Sequence, residues 1–174
     1  MFKVNVYIET SMKGPGIRSG WYASIIEYQM KNGVIHKRFD FGMGESLTYH
    51  KSVLLALGMS LKRLNASSYL TIHTDSQHVV GTIRRGSLET WRENDFQSSR
   101  GREIKNCEEW KIVDKLLKGH KVEFELTKSN KYSEELREEA VKIQEEIIKR
   151  QKNVDNSVEN IENFEKERGN GDEY

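Results

Sequence analysis

Ile72-His73-Thr74-Asp75-Ser76-Gln77-His78-Val79-Val80 sets a carboxylate at the end of an apolar run and follows it at once with small polar residues. At the C-terminal end of a strand, such a carboxylate can meet others from neighbouring elements around a metal ion. An Asp in this context can equally open a turn or cap the helix that follows. The rest of the chain has to choose between these readings.

Working outward, periodicity supplies the element order. Val4, Val6 and Ile8 alternate as a strand, Trp21 to Tyr28 reads as a second and Val34 to Phe41 as a third, with Lys31-Asn32-Gly33 as the hairpin turn. Ser52 to Leu64 has apolar residues at 53, 54, 57, 61 and 64, a helical stripe. Tyr69 to His73 is a strand after a helix and is expected to run parallel to the first. His78 to Arg85 and Cys107 to Lys118 read as helices, and Val122 to Leu126 as the last strand. Glu134 to Arg150 reads as a terminal helix with Leu136, Ala140, Ile143 and Ile147 on one face. The order β-β-β-α-β-α-α-β-α predicts an α/β fold with a mixed five-stranded sheet, three antiparallel strands and then two parallel ones, and helices on both faces.

Other stretches fit into this frame. After Asp75 come Trp91, then Phe96-Gln97-Ser98-Ser99-Arg100-Gly101-Arg102-Glu103-Ile104-Lys105-Asn106, then Trp110 and Val113 to Leu117. Before it stand Val6-Tyr7-Ile8-Glu9-Thr10-Ser11, Gly14-Pro15-Gly16 and Gly20-Trp21-Tyr22-Ala23. Together these segments resemble the type 1 ribonuclease H family over about residues 1 to 140. They match its first strand and Asp-Gly-Ser turn, its glycine-rich hairpin, its Thr-Asp-Ser-Gln strand end, its Trp-bearing basic excursion and its Ser-x-Gly-x-x-x-Lys-Asn segment. The resemblance implies a ribonuclease H-like fold, an RNA–DNA hybrid or duplex as ligand, and Mg²⁺ or Mn²⁺ held by four carboxylates.

The chain departs from that carboxylate set. Glu9 stands at the first position, normally Asp, and pushes the charge out by one methylene. The second, a Glu near the start of the first helix, falls on His50, and only the third, Asp75, is unchanged. The family's Lys-Gly-His loop is replaced by Lys128-Ser129-Asn130, and the last Asp lands on Arg137 if Ala140 is the anchor, with Glu134, Glu135 and Glu138 as stand-ins. Hard divalent ions want several oxygen ligands and little competing positive charge. An imidazole and a guanidinium in those places are expected to weaken Mg²⁺ binding severely. The catalytic candidates are therefore Glu9, His50, Asp75 and Glu138, with Glu9 and Asp75 as metal ligands.

Charge points to the same class of partner. The net charge of the 174 residues is only +1, yet Arg84, Arg85, Arg92, Arg100, Arg102 and Lys105 crowd the segment after Asp75. With Trp91 interleaved, this is the electrostatic footprint of a phosphate-backbone contact, or else an ordinary solvated surface. The resemblance adds Ser11, Ser76, Gln77 and Asn106 as contacts to a duplex. The lone Cys107 has no partner for an internal disulfide. No zinc spacing, nucleotide-binding glycine loop or serine-nucleophile signature occurs. With no secretory leader and no apolar run long enough to cross a membrane, a cytoplasmic protein is expected.

Residues 1–150 are expected to form the domain, and 151–174 an acidic, mobile tail. Asn153 to Tyr174 has seven acidic residues against two basic, and Val154, Val158 and Ile161 recur at helical spacing. That segment could serve a protein partner. Three functions stay open: a nucleic-acid-binding protein with a degraded two-metal site, a working Mg²⁺- or Mn²⁺-dependent nuclease with an unusual ligand set, and a protein-interaction module that reuses the fold.

Overall fold

Alternating side chains generate the first three strands. In the computed structural model, which describes residues 1–169, β1 (Phe2–Thr10), β2 (Arg18–Gln29) and β3 (Ile35–Leu47) pair antiparallel in sequence order. Gly33, at φ 84°, closes the β2–β3 hairpin, where Met30 N–H donates to the Val34 carbonyl at 2.9 Å. β4 (Ser68–Thr74) runs parallel to β1, and β5 (Lys121–Leu126) parallel to β4. The sheet order β3-β2-β1-β4-β5 is the mixed five-stranded arrangement expected from the sequence.

Four helices lie between β3 and β5. α1 (Tyr49–Leu61) begins earlier than its apolar stripe suggests, because Thr48 caps it: its Oγ1 accepts from Lys51 N–H at 3.2 Å. α2 (Gln77–Arg84) is capped by Ser76, and α4 (Cys107–Leu117) follows the basic segment. α3 (Ser87–Glu93) was not foreseen: so short a helix, starting just past the left-handed Gly86, shows no periodic stripe.

The pleat sends alternate residues to two cores. Val4, Val6, Ile8, Leu70 and Ile72 join Leu54, Leu57, Val79, Leu88 and Trp110 from the four helices. Tyr7, Trp21, Ala23 and Ile25 point to the other face, against Leu136 and Ala140 of α5 (Ser133–Gly169). Glu9 lies two residues beyond Tyr7 on β1 and therefore faces α5. Helices thus cover both faces, as expected.

The chain divides into two compact units, Met1–Ala140 and Val141–Tyr174, whereas the sequence suggested a boundary after 150. Leu136 and Ala140 are the last residues that α5 contributes to the first unit's core. The helix continues through residues expected to be a tail, because neither Pro nor Gly interrupts 133–168 and the helical spacing of Val154, Val158 and Ile161 persists. Residues 170–174 of the expected mobile tail lie outside the described residues. Among the described residues no helix is long and apolar enough to cross a membrane.

A carboxylate pair and its basic flank

β1 and β4 are parallel neighbours in the register Tyr7 to His73, so Glu9 and Asp75 emerge at the same end of adjacent strands. Lys13 Nζ spans them, 2.8 Å from Asp75 Oδ2 and 3.5 Å from Glu9 Oε2. α5 closes on Glu9 from the other side. Ser133 Oγ donates to Glu9 Oε1 at 2.6 Å, and Arg137 Nε stands 3.6 Å from Oε2. Arg137 occupies the place that the Ala140 anchor assigned to the family's last Asp. From α1, the Tyr49 hydroxyl donates to Asp75 Oδ1 at 2.5 Å. Burial, then the hydrogen bond to Asp75, raises the Tyr49 phenol and keeps it a donor.

His50 packs toward α2. Its ring packs against His78 with centroids 4.2 Å apart, and Nδ1 is buried without a hydrogen-bond partner. Burial first, then His78 and Lys105, lowers its pKa; His78 is lowered by burial, then by Arg85 and Lys105. Both shifts favour the neutral imidazole, and neither carboxylate of the pair is among the groups that cause them. The expected convergence of Glu9, His50 and Asp75 is therefore met by Glu9 and Asp75 alone. Helix geometry explains it: Tyr49 and His50 are consecutive on α1, so their side chains point about 100° apart. Glu134 and Glu138 are exposed on α5, and Glu135 pairs with Lys37 at 2.6 Å.

The donor set does not suit a divalent ion. Two carboxylates face two protein cations, and among the described residues no group of three or more His, Cys, Asp or Glu is placed to hold a metal. Lys13, Tyr49 and Ser133 escaped the sequence reading. Nothing in the loop's spacing marks Lys13 as the residue that folds back across the sheet end.

The expected nucleic-acid contacts separate into two groups. Ser76 is fully buried and caps α2, accepting from Val79 N–H at 3.3 Å. Ser11 Oγ is held by Trp21, accepting from its N–H at 2.8 Å. Trp91 is half-buried and meets Trp110 edge-on, with centroids 5.4 Å apart. Arg92 pairs with Asp114, Nε to Oδ2 at 3.0 Å, and Arg84 donates to the Phe124 carbonyl at 2.7 Å. These five have structural work inside the domain. Gln77, Arg85, Arg100, Arg102 and Lys105 are exposed. Arg100 and Arg102 sit at the tip of a small loop closed by the Gln97–Glu103 bridge, where Gly101 turns at φ 68°. Asn106, at φ 58°, starts α4 and has no side-chain cap bond to its helix.

The sheet order, the carboxylate at the end of each of β1 and β4 and the basic segment between β4 and β5 match the family suggested by the sequence. A family model described as RNase H matches residues 2–135. The chain belongs to the ribonuclease H family. Among its relatives, the Ribonuclease H of Caldicellulosiruptor saccharolyticus is 32% identical over 117 residues, covering 67% of this chain and 74% of the relative. The Ribonuclease H of Chlorobium phaeobacteroides is 24% identical over 132 residues, covering 76% of this chain and 86% of the relative. Among solved ribonuclease H folds, LC9-RNase H1, a type 1 RNase H with the type 2 active-site motif, superposes with a TM-score of 0.67 at 20% identity, over 81% of this chain and 71% of that one. A foamy viral protease-reverse transcriptase in complex with an RNA/DNA hybrid superposes with a TM-score of 0.52 at 19% identity, over 71% of this chain and 17% of that one.

Proposed function

We propose that this ribonuclease H-family chain binds an RNA–DNA hybrid or a related duplex and cleaves it weakly or not at all with Mg²⁺. One observation carries the reading: Lys13 and Arg137 neutralise Glu9 and Asp75 from within the protein. A divalent ion there would have to displace the Lys13 ammonium and sit beside a guanidinium, with half the family's carboxylates missing. Exposed Arg85, Arg100, Arg102 and Lys105, with exposed Gln77, offer groups to phosphates that do not depend on a metal. The viral relative in complex with a hybrid supports that choice of ligand.

Metal-dependent hydrolysis is the second reading. It is favoured by the 32% identical relative named Ribonuclease H and by Lys13, whose side chain is 51% exposed and can swing into solvent.

A labelled RNA–DNA hybrid, incubated with Mg²⁺ and Mn²⁺ titrated separately, distinguishes the two. Retained binding in EDTA without metal-dependent cleavage is the expected result. Turnover with Mg²⁺ that Asp75→Asn abolishes would establish the nuclease instead.

A further inference from the structure

α5 packs on the Glu9 face of the sheet through Leu136 and Ala140, against Tyr7 of β1 and Trp21, Ala23 and Ile25 of β2. Toward β4 and β5 the register sets that face in rungs: Lys3–Tyr69–Lys121, Asn5–Thr71–Glu123 and Tyr7–His73–Glu125. The third rung is committed within the protein. Tyr7 stacks on His73 with centroids 4.3 Å apart, and His73 meets Asn5 at 3.2 Å and Glu125 at 3.0 Å. Of the other two rungs only Asn5 is tied to it. Tyr69 is 44% exposed, Lys3, Lys121 and Glu123 are exposed, and the six residues line a cavity of about 490 Å³.

Rung by rung, the chemistry suits a nucleotide. Tyr69 stands between two lysines. The Lys121 ammonium lies 3.5 Å from the Tyr69 hydroxyl and 5.1 Å from the ring centroid, so it sits at the hydroxyl end and leaves the face of the ring open. A base can stack on such a face while flanking ammonium groups hold its phosphates. One rung on, about 6.6 Å along the strands, Thr71 and Glu123 present a hydroxyl and a carboxylate within reach of the base's edge. The carboxylate repels phosphate, which turns the backbone toward the lysines and the base toward Glu123. Guanine alone among the bases offers two adjacent donors, N1–H and the N2 amino group, to one carboxylate on its Watson–Crick edge. A protein partner is disfavoured, because interface cores are depleted of Lys and Glu, and these two rungs hold one aromatic ring and no Leu, Ile, Val or Met.

We propose that the β4–β5 side of this face binds single-stranded RNA or DNA, with one guanine stacked on Tyr69 and its edge on Glu123, while Lys3 and Lys121 hold the adjoining phosphates. Tyr69 precedes Asp75 by six residues, about 20 Å along β4, so this site is separate from the carboxylate pair. It does not depend on duplex binding elsewhere. Where both hold, a single-stranded end that leaves a bound duplex is held by the same chain, which raises apparent affinity for such a junction.

Fluorescence anisotropy of the full chain tests this with three labelled single strands: an RNA octamer of alternating U and G, a DNA octamer of alternating T and G, and an all-U RNA octamer. A guanine-bearing octamer is expected to bind more tightly than the all-U strand, and the tighter of the two names the natural strand. Tyr69→Ala, at an exposed position, should weaken that binding at least about fivefold, the lower end of what one base stacked on an aromatic ring contributes. Glu123→Gln should erase the preference over the all-U strand. Lys3→Ala with Lys121→Ala should flatten the log-affinity versus log-salt slope by about 1.4, at about 0.7 for each phosphate contact on a single strand. Affinity for a blunt-ended RNA–DNA hybrid should stay unchanged in each of these variants, and Arg100→Glu with Arg102→Glu should leave the octamers bound as before. No octamer binding at micromolar concentrations would overturn the proposal. So would binding that survives Tyr69→Ala or is lost with the Arg100 and Arg102 reversals, since the strand would then lie on the basic segment. Equal affinity for the all-U strand would overturn the guanine assignment.

Discussion

Replacing Lys13 with Gln and Arg137 with Asp tests whether the protein supplies its own counter-ions. Glu9 is only 4% exposed, and both of its cationic neighbours vanish in this variant while a third carboxylate is introduced. Removing one side of a fully buried pair costs about 3–5 kcal/mol. Lys13 and Arg137 are half-exposed, and Ser133 still donates to Glu9, so the loss here is nearer about 2–3 kcal/mol. For a chain of this size each kcal/mol shifts the melting temperature by about 2–4 °C, giving a drop of about 4–12 °C. Three converging carboxylates then form a site a hard cation can use. Mn²⁺ at a hundred times its Kd returns about 2.7 kcal/mol, enough to restore the loss. The assay is thermal unfolding of both proteins in EDTA and in millimolar Mn²⁺. The unmodified chain should melt at the same temperature in both, and the variant should recover only with Mn²⁺. If the unmodified chain is stabilised by Mn²⁺ as strongly as the variant, Lys13 and Arg137 do not fill the site and the reasoning fails.

Charge reversal at Arg100 and Arg102 should weaken hybrid binding and flatten its log-affinity versus log-salt slope by about 0.9 for each phosphate no longer neutralised, the B-DNA value. An unchanged slope in fluorescence anisotropy would make the loop a mere solvated surface. Trp91→Ala should act first on stability, costing about 3 kcal/mol in chemical denaturation as its packing on Trp110 disappears, with affinity little changed in the fraction that remains folded. His50, His73 and His78 all have pKa values below the ordinary 6.5, chiefly through burial. Below that pH the unfolded chain binds more protons than the folded one, so stability should be full above pH 6.5 and fall as the solution is acidified. Urea midpoints that stay level between pH 7.5 and 5.5 would contradict this. Ser76→Ala should cost about 1 kcal/mol by uncapping α2, without altering the salt slope of binding.

The sheet was legible because alternation in Val4, Val6 and Ile8 and the short apolar run before Asp75 are local signals. Glu9 and Asp75 were found for the same reason: each is attached to a strand end that periodicity locates. Lys13 was not found, since a flexible side chain in a loop declares its partner only after two parallel strands have been brought together. His50 shows a different limit. Sequence placed it at the start of a helix, but the phase of α1 decides which of two consecutive residues meets Asp75, and Tyr49 wins. The arginines after Asp75 were legible as a charge cluster, whereas their division into Arg84 and Arg92, bound within the domain, and Arg100 and Arg102, exposed, depends on where Phe124 and Asp114 lie.

Glu27 shows what this architecture asks of the growing chain. It is buried on β2, where burial alone would raise its carboxyl; hydrogen bonds from Lys131 and Tyr132 outweigh that and hold it below the usual range. Lys131 lies 104 residues later, and Ser133 reaches Glu9 across 124. At ordinary ribosomal rates that interval takes about 5–25 s. Throughout it Glu27 has Tyr7 and Glu9 has Lys13, but the shorter bonds from Lys131 and Ser133 have not yet been made, so the first three strands lack part of what settles their buried acids as they emerge. Closure of the sheet's α5 face is a late event in synthesis, and a nascent chain arrested before residue 131 should remain open to proteolysis.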